Sequence, residues 1–575
     1  MRSRKLGVLA VVVALASAGC ANLPLETKPQ AIRAAPTGPE VTEGLQPPEK
    51  NLPAADVVRA FVEANAQEAD LHAASRQYLA PEVAKQWKPR SEILILDDNF
   101  NTIRAPQAEQ PDDENETVIT LVGNMIGKLG PDRSFTPQNE PLEKKLRLRR
   151  QPDTGEWRIV ELPSLVITNR EQFSKNFFTT RLYFYAPNSD VLVPDLRYVA
   201  AQPAEGLTSR IMHLLMHGPS YSIRGAVEDP LSAATMETNV REVGTAVEVP
   251  LTGLVGVSTE ERRRIVTQVV MSLENVDLVR LQSDGKPLLP DRTDWRRSDL
   301  KPATPKIADS DGYAVLNGRI YSLKDGDPMP GPAGAGGYNV VSAAQSLEGG
   351  QLALVERVGH DLRLRVGELG KQLAPVNIRG KSMTRPTWQP AYPENKVSYE
   401  VWTVVDGKRV VRAQLTPDGA WVPRTVDSKE LRNFGRITAF RLSRDGTRAA
   451  MVADGKLVIA AVKRTASTVS LTTPRILQQS ILADIKDVDW MTQHELVVAT
   501  DSSSQPVIQV SVDGFTSAVY NAANLQPPVK GITALPNGRV LAADENGLWT
   551  VSSTGEPWDS QRNTQEGMES PFFPG

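Results

Sequence analysis

Apolar residues change their rhythm three times along the chain. Val57, Val58, Phe61 and Val62 recur at helical spacing behind Pro53, whose fixed φ suits a first helical turn. Further helices are expected over 73–79 and 82–87. The rhythm then shortens to strand-length runs at 92–96, 117–126, 142–149 and 157–161. Helices first and an antiparallel sheet afterwards predict an α+β domain over 52–165. A second unit is expected over 166–292. Its runs at 182–185 and 191–193 flank Pro187-Asn188-Ser189-Asp190, a hairpin pattern. A helix over 204–217 places Leu207, Ile211, Leu214 and Leu215 on one face and stops at Gly218-Pro219. A short strand over 247–249 follows. Ser258-Thr259-Glu260-Glu261 then fits a capping box ahead of the stripe Ile265, Val266, Val269, Val270 and Leu273. A strand over 276–281, turned by Asp284-Gly285, completes the α/β unit.

After a polar linker over 293–309 the rhythm becomes that of strands alone. Seven Asp-Gly and three Asn-Gly pairs occur from Asp311 onward, against one Asp-Gly before it. Such pairs supply the positive φ that tight hairpins need. Similar units begin near Val341, Arg385, Thr438, Asp487 and Thr533, spaced 44, 53, 49 and 46 residues apart. A period of this size, with about four strands per unit, predicts a β-propeller of five or six blades over 310–575. The first strands, over 313–323, are expected to complete the sheet begun by the last. A Greek-key sandwich would leave the period unexplained.

The N-terminus follows another logic. Arg2, Arg4 and Lys5 precede an apolar run over 6–16, which ends in Ser17-Ala18-Gly19-Cys20. A short apolar run after positive charge reads as an export signal over 1–19 rather than a membrane span. Cys20, the single cysteine of the chain, stands where a lipoprotein signal peptidase needs it. The segment resembles a bacterial lipobox, with Ser17 where Leu is commonest. Cys20 is thus the candidate lipidation site, and two or more acyl chains hold a protein stably on a bilayer. Residues 20–51 read as a tether, since 21–50 hold six prolines and no aromatic residue. Fully extended at ~3.1 Å per residue, those thirty residues reach roughly 90 Å. The expected location is the extracytoplasmic face of the cell membrane.

Composition narrows the chemistry. Among 575 residues, Lys and Arg number 65 against 68 Asp and Glu, a net charge of −3, so no whole-chain footprint for nucleic acid exists. One cysteine excludes an intramolecular disulfide and a cysteine-based metal cluster. His213 and His217 have the i, i+4 spacing of a zinc pair. No glutamate follows His213 to activate a bound water, and a histidine at a helix end is favoured by the dipole alone. Asp97-Asp98 and Asp112-Asp113-Glu114 read as solvated turns. Lys144, Lys145, Arg147, Arg149 and Arg150 alternate with Leu146 and Leu148, which reads as the outward face of a strand. Tyr183, Phe184 and Tyr185 read as core. No nucleophile elbow, phosphate loop or dinucleotide fingerprint is present. The expectation is a protein that is not an enzyme and has no catalytic residue, metal site or cofactor.

Several segments resemble known families. The order of the first domain is similar to the NTF2-like fold, and that of the second resembles the GerMN domain of spore-germination and envelope proteins. Ser443-Arg444-Asp445-Gly446-Thr447 resembles a TolB-like blade hairpin, with Pro386-Thr387-Trp388 similar to the segment that precedes it. Longer strings resemble the actinobacterial LpqB lipoprotein family over essentially the whole chain. They include His72-Ala73-Ala74-Ser75-Arg76-Gln77-Tyr78-Leu79, Val193-Pro194-Asp195-Leu196-Arg197-Tyr198-Val199-Ala200 and the stretch from Leu442 to Met451. The resemblance implies an accessory of the MtrA–MtrB two-component system. Such an accessory contacts the extracytoplasmic region of the sensor kinase MtrB, with envelope homeostasis and division as outputs. It maps one functional position, Cys20. The alternative reading is an envelope factor that binds or modifies a cell-wall polymer.

Overall fold

A computed structural model describes residues 48–391, 397–477, 482 and 484–575. The helix Ala54–Ala64 buries Val57, Val58, Phe61 and Val62, as the spacing predicts. They share a core with Ile119, Leu121, Leu146, Leu148 and Ile159 of the sheet beneath. The next helix, Ala69–Arg76, begins in the left-handed region at Asp70, Leu71 and His72, so its right-handed part starts at Ala73. Pro81–Gln86 forms the third.

The first sheet runs in the order Trp157–Glu161, Phe135–Arg150, Glu116–Leu129, Ile93–Leu96, Val166–Asn169, with Asn101–Arg104 also on Glu116–Leu129. Two findings differ from the sequence reading. Val166–Asn169 pairs parallel with Ile93–Leu96, so the sheet is mixed and continues past residue 165. Likewise Asp294–Trp295 pairs with Val279–Ser283, so the second domain's sheet continues past residue 292. Period-two patterning marks a strand but does not say which sheet it joins.

In the second domain Ala246–Thr252 and Val279–Ser283 pair parallel, joined by the crossover helix Thr259–Ser272. That helix starts with the Ser258 half of the expected capping box: the Glu261 N–H donates to Ser258 Oγ at 3.1 Å. The hairpin of Phe177–Tyr185 and Leu192–Ala200 forms its own two-stranded sheet, longer than the apolar runs suggest. It packs on the crossover helix, where the Tyr183 N–H donates to Ser272 Oγ at 2.9 Å.

The C-terminal region is a six-bladed propeller. Blade one comprises Val340–Gln345, Gln351–Val358, Asp361–Glu368 and Ala374–Gly380. Blades two to five begin with inner strands Thr387–Trp388, Ile437–Leu442, Ile485–Trp490 and Gly531–Ala534, each within two residues of the repeat starts. Blade six is composite: Glu569–Phe572 pairs with Tyr313–Leu316, which pairs with Arg319–Ser322. The inner strands touch in a closed ring, with Glu569–Phe572 between those of blades five and one. Joining both ends of the propeller in one sheet removes the open edge a radial array would otherwise expose. Both residues have positive φ at Asn317-Gly318, Asp406-Gly407 and Asp454-Gly455, the two-residue hairpin geometry.

Adjacent blades are stitched through tryptophans. Trp388 Nε1 donates to the Ala344 carbonyl at 3.0 Å, and Trp490 Nε1 to the Arg441 carbonyl at 3.1 Å. Each reaches from one inner strand to the preceding blade.

Candidate functional site

Three places in the fold concentrate polar chemistry. The first is the joint between domains. All nine residues of Leu192–Ala200 are buried. The strand alternates between two partners, as a pleat must when covered on both faces. Val199 faces the second domain's own core. Leu196 enters the cluster of blades three and four, and Tyr198 and Ala200 enter one shared with the first domain. That last cluster brings together Phe135 of the first domain, Phe173, Phe177 and Tyr198, and Phe515 of blade four. The Phe515 ring centroid lies 5.1 Å from those of Phe135 and Tyr198, edge-to-face with each.

Polar groups complete the joint. Asp195 and Arg197 pair at 2.6 Å with almost no exposure. Asp195 also accepts from the Ser220 N–H and hydroxyl at 2.8 and 2.9 Å. A buried ion pair is tolerated when further hydrogen bonds satisfy it. Arg448 Nη2 donates to the Pro194 carbonyl at 2.7 Å, and Gln493 Nε2 to that of Leu192 at 2.8 Å. The string over 193–200 is therefore the joint strand. Its charged residues inside an apolar run were the available signal, and the sequence reading passed over them.

The second place is the propeller axis. Arg441 pairs with Asp489 at 2.9 Å, and Arg385 approaches the same carboxylate at 3.5 Å. Arg444 donates to the carbonyls of Trp490 and Ala534 at 2.9 and 2.6 Å. The chain end packs onto these groups: Arg441 donates to Gly575 and Arg385 to Pro571, both at 2.9 Å. Burial alone would push the Asp489 carboxyl up, but Arg441, Arg385 and Arg444 pull it down to about 2. Burial pushes the neighbouring Asp487 up. The remaining void is about 10 Å³, room for one water at most. Among the described residues these groups form an electrostatic plug at the axis.

The third place is a groove of about 1340 Å³ between blades two and three. It forms where the segment after Trp421–Thr425 crosses to the outer strand of blade three, Val469–Ile476. There the Asp427 N–H donates to the Val469 carbonyl at 2.9 Å before the chain returns to the inner strand of blade three.

The residues singled out by sequence fall elsewhere. Cys20 lies outside the described residues. His217 Nδ1 sits 2.7 Å from the His213 carbonyl and His213 Nε2 lies 3.2 Å from Asn239 Oδ1, so the rings serve a helix end. Among the described residues no three His, Cys, Asp or Glu gather as a metal would require. Asp98 accepts from the Glu171 N–H at 2.7 Å and from Asn169 at 3.0 Å, tying down the start of Arg170–Asn176, a helix the sequence reading missed. The basic run is partly paired. Lys145 meets Glu109 at 2.8 Å, Arg149 meets Glu116 at 2.6 Å, and Arg150 lies over Trp157. Leu182, Phe184 and Tyr185 are core, whereas Tyr183, expected there too, is only half-buried, its hydroxyl 3.4 Å from Glu274. In the blade-three hairpin, Asp445 Oδ1 accepts from the Ser443 hydroxyl, the Thr447 N–H and the Thr447 hydroxyl at 2.6, 2.9 and 2.6 Å. That makes it a structural turn. The same turn recurs at Ser511-Val512-Asp513-Gly514-Phe515-Thr516, where the Ser511 hydroxyl donates to Asp513 at 2.5 Å. No helix among the described residues is long and apolar enough to cross a membrane.

Comparison with known proteins follows the same three-part division. Residues 47–174 match the family model described as Lipoprotein LpqB, N-terminal domain. Residues 181–289 match Sporulation and spore germination, and residues 318–574 match the Lipoprotein LpqB beta-propeller domain. Lipoprotein LpqB of Rhodococcus opacus is 30% identical across 93% of this chain and 91% of its own. That of Nocardia farcinica is 29% identical across 94% and 93%. That of Mycolicibacterium paratuberculosis is 30% identical over 100% of both chains. With its domains matched in order and a relative aligned from end to end, the chain belongs to the LpqB family of envelope lipoproteins.

Proposed function

We propose that this protein is anchored through Cys20 to the extracytoplasmic face of the membrane, where it binds and modulates an MtrB-like sensor kinase without catalysing a reaction. The observation that carries this reading is the joint strand Leu192–Ala200, buried on both faces. It couples three domains, so a partner held by one feels the position of the others. A coupled array suits a modulator, which must bind one signalling state of its partner more tightly than another. Typical coupling energies are about 1–3 kcal/mol. Confinement to the same membrane raises the effective concentration of the two proteins, so modest affinity suffices.

The test is a titration of the purified chain with the extracytoplasmic region of the kinase, paired with deletion of the gene. Saturable binding and altered phosphorylation of the cognate regulator are expected. No binding at high micromolar concentration, with unchanged phosphorylation, would refute the reading.

A further inference from the structure

We propose that the basic groove between blades two and three binds a linear polymer bearing phosphate groups. Seven of its lining residues are Arg or Lys and three are Asp. The three carboxylates are already engaged by backbone donors. Asp406 accepts from the N–H groups of Lys381 and Ser382 at 2.7 and 3.1 Å. Asp454 accepts from that of Arg436 at 2.8 Å, and Asp427 from that of Lys429 at 3.2 Å. Arg412 is held by Glu400, which does not line the groove. Lys408, Arg424 and Arg432 are exposed and make no ion pair among the described residues. Cations gathered in a concave surface repel one another and focus a positive field into it, which an anion relieves.

Size and lining select the ligand. The volume exceeds the roughly 300–1,000 Å³ of ordinary small-molecule pockets, so one phosphate would leave it mostly empty. A protein partner would need aromatic or aliphatic anchors. Among the described residues no aromatic side chain lines the groove, and Val405, Val410, Val426, Leu431, Ile437 and Val469 are already buried in the blade cores. The exposed side chains are mainly guanidinium and ammonium groups on aliphatic stems. Guanidinium forks bind phosphate oxygens in pairs, and a repeating charge along a chain engages several at once. This inference stands independently of the kinase reading.

The test uses the full chain in detergent and labelled long-chain inorganic polyphosphate, read by fluorescence anisotropy. Saturable binding that weakens steeply as salt rises is expected. The exposed double variant Arg424→Glu/Arg432→Glu should raise Kd at least about tenfold with an unchanged melting temperature. Lys144→Glu on the first domain should leave Kd unchanged. Equal affinity of the parent and the groove variant would overturn the proposal. So would equal affinity for poly-glutamate, or binding to phosphatidylglycerol micelles but not to polyphosphate.

Discussion

The Tyr198 hydroxyl donates to Asp513 Oδ2 at 2.7 Å, joining the second domain to blade four across 315 positions of sequence. Both groups are buried. Burial, then the Asp513 charge, hold the phenol well above its ordinary pKa, so it stays protonated and remains a donor. Asp513 also accepts from the Ser511 hydroxyl and the Phe515 N–H, at 2.5 and 3.1 Å. One carboxylate therefore closes a blade turn and fastens a neighbouring domain.

Tyr198→Phe keeps the ring in its aromatic cluster and removes only the bond to a charged acceptor. The expected loss is about 1.5–3 kcal/mol in chemical denaturation. Asp513→Ala should cost more, because the blade turn opens as well. Midpoints equal to the parent's in both variants would show that this bond does not hold the joint.

Phe515→Ala empties the point where three domains meet. Large-to-small substitution of a buried aromatic costs about 3–5 kcal/mol. The first domain should then separate more readily from the propeller. Limited proteolysis should cut sooner in the connections near 162–165 and 201–206, and an unchanged cleavage pattern would contradict the assignment.

The axial plug gives acid sensitivity with a definite sign. Asp489 lies at about 2 in the folded protein, below the ordinary carboxylate value. Its contribution, about 2 kcal/mol, is present above roughly pH 4 and is lost as pH falls toward 2. Asp487, raised by burial, favours the fold at low pH and loses that contribution as pH rises through its folded pKa, so it partly offsets Asp489 in acid. Asp489→Asn should destabilise the protein near neutrality by leaving Arg441 without its carboxylate, by about 3–5 kcal/mol. It should also flatten the loss between pH 4 and 2. Tryptophan fluorescence suits the measurement, since the Trp490 indole N–H donates at 3.1 Å to the carbonyl of Arg441, the residue paired with Asp489.

Cys20→Ala tests the anchor. The chain has one cysteine, so no other side chain can form the thioether. Palmitate labelling should vanish and the protein should remain a precursor or leave the membrane. Label entering the variant would refute Cys20 as the site.

Periodicity and turn chemistry determined much of this protein by themselves. Helical spacing located Ala54–Ala64 and Thr259–Ser272, and repeat spacing located the inner strands from Val340–Gln345 to Gly531–Ala534. These are local matters: apolar period, a cap and a positive-φ pair act within a few residues. The lipid anchor at Cys20 rests on the sequence alone, since that residue lies outside the described residues. Tertiary structure alone decided where faces meet. Asp195, Arg197 and Tyr198 lie beyond the apolar run of 191–193, and only the fold covers both sides of their strand. The cations of the groove are dispersed along 408–436 and converge only when that segment crosses between two blades. At the axis Arg385 precedes the inner strand of blade two, Arg441 and Arg444 lie in the inner strand and first turn of blade three, and only ring closure gathers them around Asp489 of blade four. Burial on a second face and convergence across blades are long-range relations, and no local period in the chain encodes them.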